Sequence, residues 1–158
     1  MLVLFCAITW AITQTQFEDW KLTEAEEWSS ASTQSRRGTP GIGIGAGCES
    51  GVLNLSLTNV ALLMTGQVGY QTHLSYDGGE VWHEVDDMNV GVEHLDRWMD
   101  PKTTVVHVRW TIREGTVFEE FSMAGAAEAL TPVATRCGVP IPVSKPQPSA
   151  DGSPWGPL

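Results

Sequence analysis

The stretch VGYQTHLSYDGGEVWHEV, Val68 to Val85, holds two runs of alternating side chains around a glycine pair. Val68, Tyr70, Thr72, Leu74 and Tyr76 alternate with smaller or more polar residues, and Val81, His83 and Val85 do so after the break. Period-two alternation gives a strand one face for a core, and Gly78-Gly79 allows the positive φ of a tight turn. The stretch therefore predicts a β-hairpin with both strands contributing to a core. Trp82 is expected on the buried side, opposed to Trp110.

Working outward, Val52 to Thr58 places Leu53, Leu55 and Leu57 on one face and Asn54, Ser56 and Thr58 on the other, a strand with one wet side. Val60 to Met64 reads either as a second short strand or as a bend into the hairpin. On the other side, Asp86 to Lys102 is polar and broken and reads as a connection, with Trp98 and Met99 plugging one end of the core. Val106, Val108, Trp110 and Ile112 alternate with His107, Arg109, Thr111 and Arg113. A turn at Glu114-Gly115 leads into Thr116 to Met123, which predicts a second hairpin.

Two resemblances attach to these residues. Ser75, Asp77, Gly79 and Trp82 have the S-x-D-x-G-x-x-W spacing and resemble an Asp-box hairpin, with Val81 in place of the usual Thr. SYDGGEVW followed by VVHVRWTIREGTVFEEFSM is similar to the C-strand turn and the F and G strands of fibronectin type III-like domains. The resemblance covers about Val52 to Met123. It implies an all-β fold, an antiparallel β-sandwich of fibronectin III/Ig type, as found in bacteriophage virion proteins. A sialidase propeller is excluded, because one box and 158 residues do not make several four-stranded blades.

The flanks read as a short helix and two arms. Phe17 to Ser32 predicts the one helix of the first half, with Thr23 and Glu26 spaced as a capping box and Leu22, Ala25 and Trp28 on one side. Ser29 to Gly38 then reads as a linker. Gly41, Gly43, Gly45 and Gly47 match neither G-x-G-x-x-G nor a phosphate loop. They read as a flexible approach to the first core strand, or as an edge segment open to close backbone contact with another chain. Met1 to Ile12 (MLVLFCAITWAI) is apolar, but no Lys or Arg precedes it, no A-x-A site follows, and it is too short to span a bilayer. It is expected to be an arm that adds to this domain's sheet or a neighbour's. Ala124 to Leu130 predicts one helical turn. Thr131 to Leu158 carries Pro132, Pro140, Pro142, Pro146, Pro148, Pro154 and Pro157, a density expected to prevent regular helix. The organisation that follows is an apolar arm (1–16), a helix and glycine-rich linker (17–47), a sandwich (48–130) and a proline-rich arm (131–158). The second arm is expected to serve contacts between subunits more than the fold.

Charge and chemistry narrow the function classes. Nine Lys+Arg against nineteen Asp+Glu give a net charge of −10 without a basic cluster, which argues against nucleic acid. Asp86, Asp87, Glu93, Asp96 and Asp100 lack the spacing of a calcium loop, so a solvated loop is the expectation there. His73, His83, His94 and His107 include three on alternating strands, and His73 and His83 are within reach of each other across the hairpin. Glu119 and Glu120, adjacent in a strand, must point to opposite faces and cannot form a facing acid pair. No G-x-S-x-G or H-E-x-x-H occurs. Cys6, Cys48 and Cys137 show no zinc spacing; Cys48 and Cys137 flank the core and are either bridged or free.

The expectation is a non-enzymatic subunit without cofactor, a virion component assembling with itself or with other virion proteins. The alternative is an extracellular glycan-binding or adhesion module. Seven Trp residues serve either reading. Trp20, Trp28, Trp98 and Trp155 stand outside the predicted core strands and are candidate interface anchors.

Overall fold

The computed structural model describes residues 11–66, 70–86 and 88–141. Among the described residues ten strands form two antiparallel sheets. The first comprises β1 (Thr13–Phe17), β2 (Trp20–Glu24), β3 (Trp28–Gln34), β4 (Ile42–Glu49), β5 (Val52–Asn59) and β8 (Asn89–Val90), in that order. The second has the order β10 (Gly115–Ser122), β9 (Val105–Ile112), β6 (Gln71–Ser75) and β7 (His83–Val85). Helix α1 (Val60–Thr65) follows β5, a 3₁₀ turn (Val92–His94) runs into α2 (Leu95–Met99), and α3 (Ala126–Arg136) follows β10. Inward rows of both sheets and one face of α3 meet in a single hydrophobic cluster. The all-β, antiparallel expectation holds at this level.

The helix expected over 17–32 is instead two strands and a turn. Trp20 and Leu22 are buried while Lys21 between them is exposed; Ser29, Ala31 and Thr33 are buried while Ser32 and Gln34 are exposed. This is a two-residue period written in small polar side chains, which carries little hydrophobic signal. The three-residue spacing of Leu22, Ala25 and Trp28 comes from a turn, closed by the Ala25 amide donating to the Trp28 carbonyl at 2.9 Å. The same finding removes the linker expected at 29–38, most of which is β3.

The glycine-rich segment is an interior strand, neither a flexible approach nor an edge. Ile42, Ile44, Ala46 and Cys48 face the core and Gly43, Gly45 and Gly47 alternate with them. A Cβ at Gly45 would stand 2.7 Å from the Ala31 carbonyl oxygen, and one at Gly43 would stand 2.9 Å from that of Thr33. The close backbone neighbour is this chain's own β3. Val60 to Met64 is neither strand nor bend but α1, capped by the Asn59 side chain accepting from the Leu62 amide at 3.2 Å and ended by left-handed Gly66.

The largest departure is at the C-terminal end. α3 continues through Thr131, Pro132 and on to Arg136, with Ala126, Ala129, Leu130, Val133 and Ala134 buried at helical spacing. These residues pack on β1 to β4. Pro132 breaks one helical hydrogen bond, that to the carbonyl of exposed Glu128, and a seventh-position proline is tolerated because that side faces water. The sandwich boundary expected at residue 130 therefore cuts through a core helix. Residues 131–137 belong to the fold, and the expectation of an arm survives only for the residues beyond 141, outside the described ones. The Cys48 and Cys137 sulfurs are bonded, with Cα atoms 5.7 Å apart, so the end of α3 is stapled to β4.

Two further fastenings hold the layers. The Trp20 indole N–H donates to the Ser122 carbonyl at 2.9 Å and the Asp19 amide to that of Ala124 at 3.3 Å, fixing the β1–β2 hairpin to the β10–α3 junction. The Glu119 carboxylate, only 5% exposed, accepts from the Ser35 hydroxyl and, at 3.1 Å, from that of Thr39. The Arg36 amide donates to the Glu120 carbonyl at 2.8 Å. The β3–β4 loop is thereby latched onto β10.

The disulfide closes a separation of 89 residues. Loop-closure entropy at that length gives about 4 kcal/mol, so Cys137→Ser should lower stability by that order, measured by thermal melting against the oxidised parent. An unshifted melting curve would show that the staple does not contribute.

Candidate functional site

The box hairpin joins β6 to β7, with Thr72 opposite Val85 and Leu74 opposite His83. Ser75, fully buried, donates its hydroxyl to Asp77 Oδ1 at 2.7 Å and accepts from the Gly79 amide at 2.9 Å. Asp77 Oδ1 also accepts from the Glu80 and Val81 amides at 3.1 and 3.0 Å. The carboxyl is held below its ordinary pKa, first by the Ser75 hydroxyl and then by these amides. Gly78 and Gly79 have φ of 78° and 94°, which leaves the turn to glycine. Ser75, Asp77 and Gly79 thus close the loop as the spacing suggests, but the loop is wider than a tight turn and β7 begins only at His83.

Trp82 and Val81 correct the expectation of a core alternation. Val81 is 52% exposed, and Trp82 is half-buried on the outer face of the second sheet, outside the core that holds Trp110. The Arg109 guanidinium carbon lies 4.4 Å from the centre of the Trp82 ring, and the Phe118 ring is 6.2 Å away at a tilt. His73 shares this outer side, paired across the strands with Arg109 and Glu84. Leu74, and not His73, is the cross-strand partner of His83, so the two histidines point to opposite faces.

His83 meets a different histidine. Its ring is 6.1 Å from that of His94 and 6.0 Å from that of Tyr76, and the Tyr76 hydroxyl and His94 Nδ1 are hydrogen-bonded at 2.7 Å. Burial pushes the Tyr76 pKa up to about 12, with the nearby Trp98 indole and then the Arg97 charge opposing and Glu93 adding to the rise. Burial also lowers that of His94; Glu93 opposes, while His83 and Arg97 reinforce. The cluster ties the box loop to the segment 92–99. His107 lies 3.9 Å from Glu120 on the outer face.

The tryptophans singled out as interface anchors divide. Trp20 and Trp98 are buried in the core with ring centres 6.1 Å apart, so burial withdraws both from any partner. Trp28 is half-buried, and Trp155 lies outside the described residues. Cys6 lies outside them too.

An open cleft of about 560 Å³ lies over Gln16, Lys21, Ser32 and Gln34, with Asp19 and Arg36 as its other charged residues. A smaller one of about 270 Å³ runs over the glycines of β4 between Ser30, Ser32, Ser56 and Thr58. Among the described residues no three His, Cys, Asp or Glu side chains gather as a metal site would require. Glu119 and Glu120 do face opposite sides, as their adjacency demands. Ser75 with Asp77, Tyr76 with His94, and Glu119 with Ser35 and Thr39 close on hydrogen-bond partners within the fold.

β1 lies largely within the segment expected as an arm (1–16) and pairs with β2 of this domain's own sheet. β1, TQTQF, has four of five residues exposed and is the end strand of the six-stranded sheet among the described residues. The Thr/Gln alternation was its only signal. No helix among the described residues is long and apolar enough to cross a membrane. No protein-family model, no curated relative and no solved structure matches the chain.

Two outcomes follow from these placements. Trp110→Ala should cost about 3–5 kcal/mol, whereas Trp82→Ala, losing a half-exposed cation–π contact, should cost only about 1 kcal/mol; denaturant midpoints distinguish them. For His94, the folded state binds fewer protons than the unfolded one below the ordinary value of 6.5, so stability falls as pH drops through it. Relative amide protection across residues 92–99 should therefore weaken between about pH 8 and about pH 5, and His94→Gln should remove that dependence.

Proposed function

We propose that this chain is a non-enzymatic assembly subunit, a sandwich of fibronectin type III-like order that contacts its neighbours through its sheet edge and terminal segments, as virion components do. The strand order supports the fold half of this reading. With β1 to β3 set aside, β4-β5-β8 and β10-β9-β6-β7 correspond to strands A-B-E and G-F-C-C′ of that fold. The box hairpin then falls at the C–C′ turn and the second hairpin at F–G.

One observation carries the assembly half, the exposure of β1. Four of its five side chains are exposed, so the strand adds little to the monomer's own core, yet among the described residues it extends the sheet to an edge. A cross-linked Cys48–Cys137 pair also suits a particle or surface outside a reducing compartment. The glycan-binding alternative needs a free aromatic face, and Trp82 gives one face of its ring to Arg109.

Sedimentation velocity on the full chain over a range of concentrations tests this reading. Species heavier than the monomer are expected, growing with concentration. A monodisperse monomer that binds a glycan would overturn it.

A further inference from the structure

We infer that β1 is a self-pairing edge, through which two copies of the chain join antiparallel about a two-fold axis at Thr15. This rests on the assembly reading and specifies its partner. The two six-stranded sheets would become one continuous sheet.

The other sheet ends are guarded. β8 has two residues, β7 has three of which His83 and Glu84 are polar or charged, and β10 has its Glu120 carbonyl already bonded by the Arg36 amide. Short length, charge and cover are the usual protections of an edge. Among the described residues, β1 has none of them. It is five residues of Thr, Gln and Phe without charge, proline or glycine.

Its backbone is set for the task. The hairpin Phe17–Glu18–Asp19–Trp20 has a two-residue turn, so its closing pair, Phe17 and Trp20, exchanges both hydrogen bonds. Thr15 and Thr13 then also point their amides and carbonyls to β2, and those of Gln14 and Gln16 point outward. Antiparallel pairing centred on Thr15 sets Gln14 against Gln16 of the second copy twice over, which makes about four hydrogen bonds. The two Thr15 side chains lie side by side at the axis, a favourable cross-strand pair. The strand is also held ready, since the Trp20 and Asp19 bonds to Ser122 and Ala124 fix the hairpin before any encounter.

Charge favours a second copy although the chain carries −10. Residues 11–17 are uncharged, and the nearest carboxylates, Glu18 of each copy, would stand roughly 20 Å apart at about 3.3 Å per residue. That exceeds a screening length of about 8 Å. The chain's own ends suit the edge less well. Met1 to Phe17 contains no Gly, Pro, Asn, Asp or Ser with which to turn tightly back onto β1, and the residues beyond 141 are interrupted by prolines that cannot donate. A five-residue ladder buries less than the ~1,200 Å² of a stable pair, so the dimer is weak in isolation and gains strength from repetition in an assembly.

The test uses the full chain with Cys6→Ser, to which Thr15→Cys is added. Paired Thr15 positions would be about 4.5 Å apart at Cα, within disulfide reach, so mild oxidation should yield a covalent dimer. Val52→Cys, exposed on β5, serves as the collision control. Gln14→Pro removes an outward amide while leaving the bonds to β2, and should weaken self-association at least about tenfold without lowering the melting temperature of the dilute protein. Thr15→Cys cross-linking no faster than the control would overturn the inference. So would a Gln14→Pro protein that is less stable as a dilute monomer, which would mean that the chain's own segment occupies the edge. Self-association that persists unchanged in Gln14→Pro would reject β1 pairing and leave the assembly reading standing, whereas a monomer at every concentration would remove both.

Discussion

A six-stranded sheet facing a four-stranded one leaves apolar surface that the second sheet cannot cover, and the structure depends on how α3 fills that gap. Trp20, Leu22, Ala31 and Ile44 line the inward side of β2 to β4, and the buried face of α3 lies against these strands. Each large side chain so covered contributes about 1.5–3 kcal/mol, so the helix is part of the core rather than an appendage. Its disulfide to β4 and the Trp20 and Asp19 bonds to the β10–α3 junction fix its position. Gly125, at φ 81°, makes this approach possible, because any Cβ there would run into the Phe17 carbonyl.

The same economy explains the polar groups. Glu119 sits on the core side of β10, where an unpaired carboxylate would be costly, and two hydroxyls from the β3–β4 loop satisfy it. Asp77 closes the box loop, and Tyr76 with His94 ties that loop to the segment before α2. Of these groups, Glu119 and His94 are the ones a one-dimensional reading weighs for chemistry. In three dimensions their hydrogen-bonding capacity goes to holding loops against sheets.

β5 and β9 are legible because their inner rows repeat large apolar residues every second position. Leu53, Leu55 and Leu57, and Val106, Val108 and Trp110, leave no competing period. β2 and β3 were not legible, because their buried row is partly Ser and Thr, and an accidental capping box supplied a stronger helical signal. The helix over residues 131–136 is hidden for a related reason. Proline density is a local penalty, and burial of Leu130, Val133 and Ala134 outweighs the one hydrogen bond that Pro132 removes. Trp82 shows the converse, an aromatic residue in an alternating pattern that the loop's width places on the outer surface.

The sequence by itself determined that the chain is built of antiparallel hairpins, that the box loop turns on Asp77 and two glycines, and that adjacent Glu119 and Glu120 part company. Those properties follow from side-chain period and from backbone sterics, which act over a few residues. Only the tertiary structure decided that β4 is interior, that α3 completes the core, that Cys48 meets Cys137, that His83 meets His94, and that β1 is the last of the described strands at its end of the sheet. Each of these depends on which distant segments share a layer, and that is settled by summed burial across the whole chain, which no short window of residues contains.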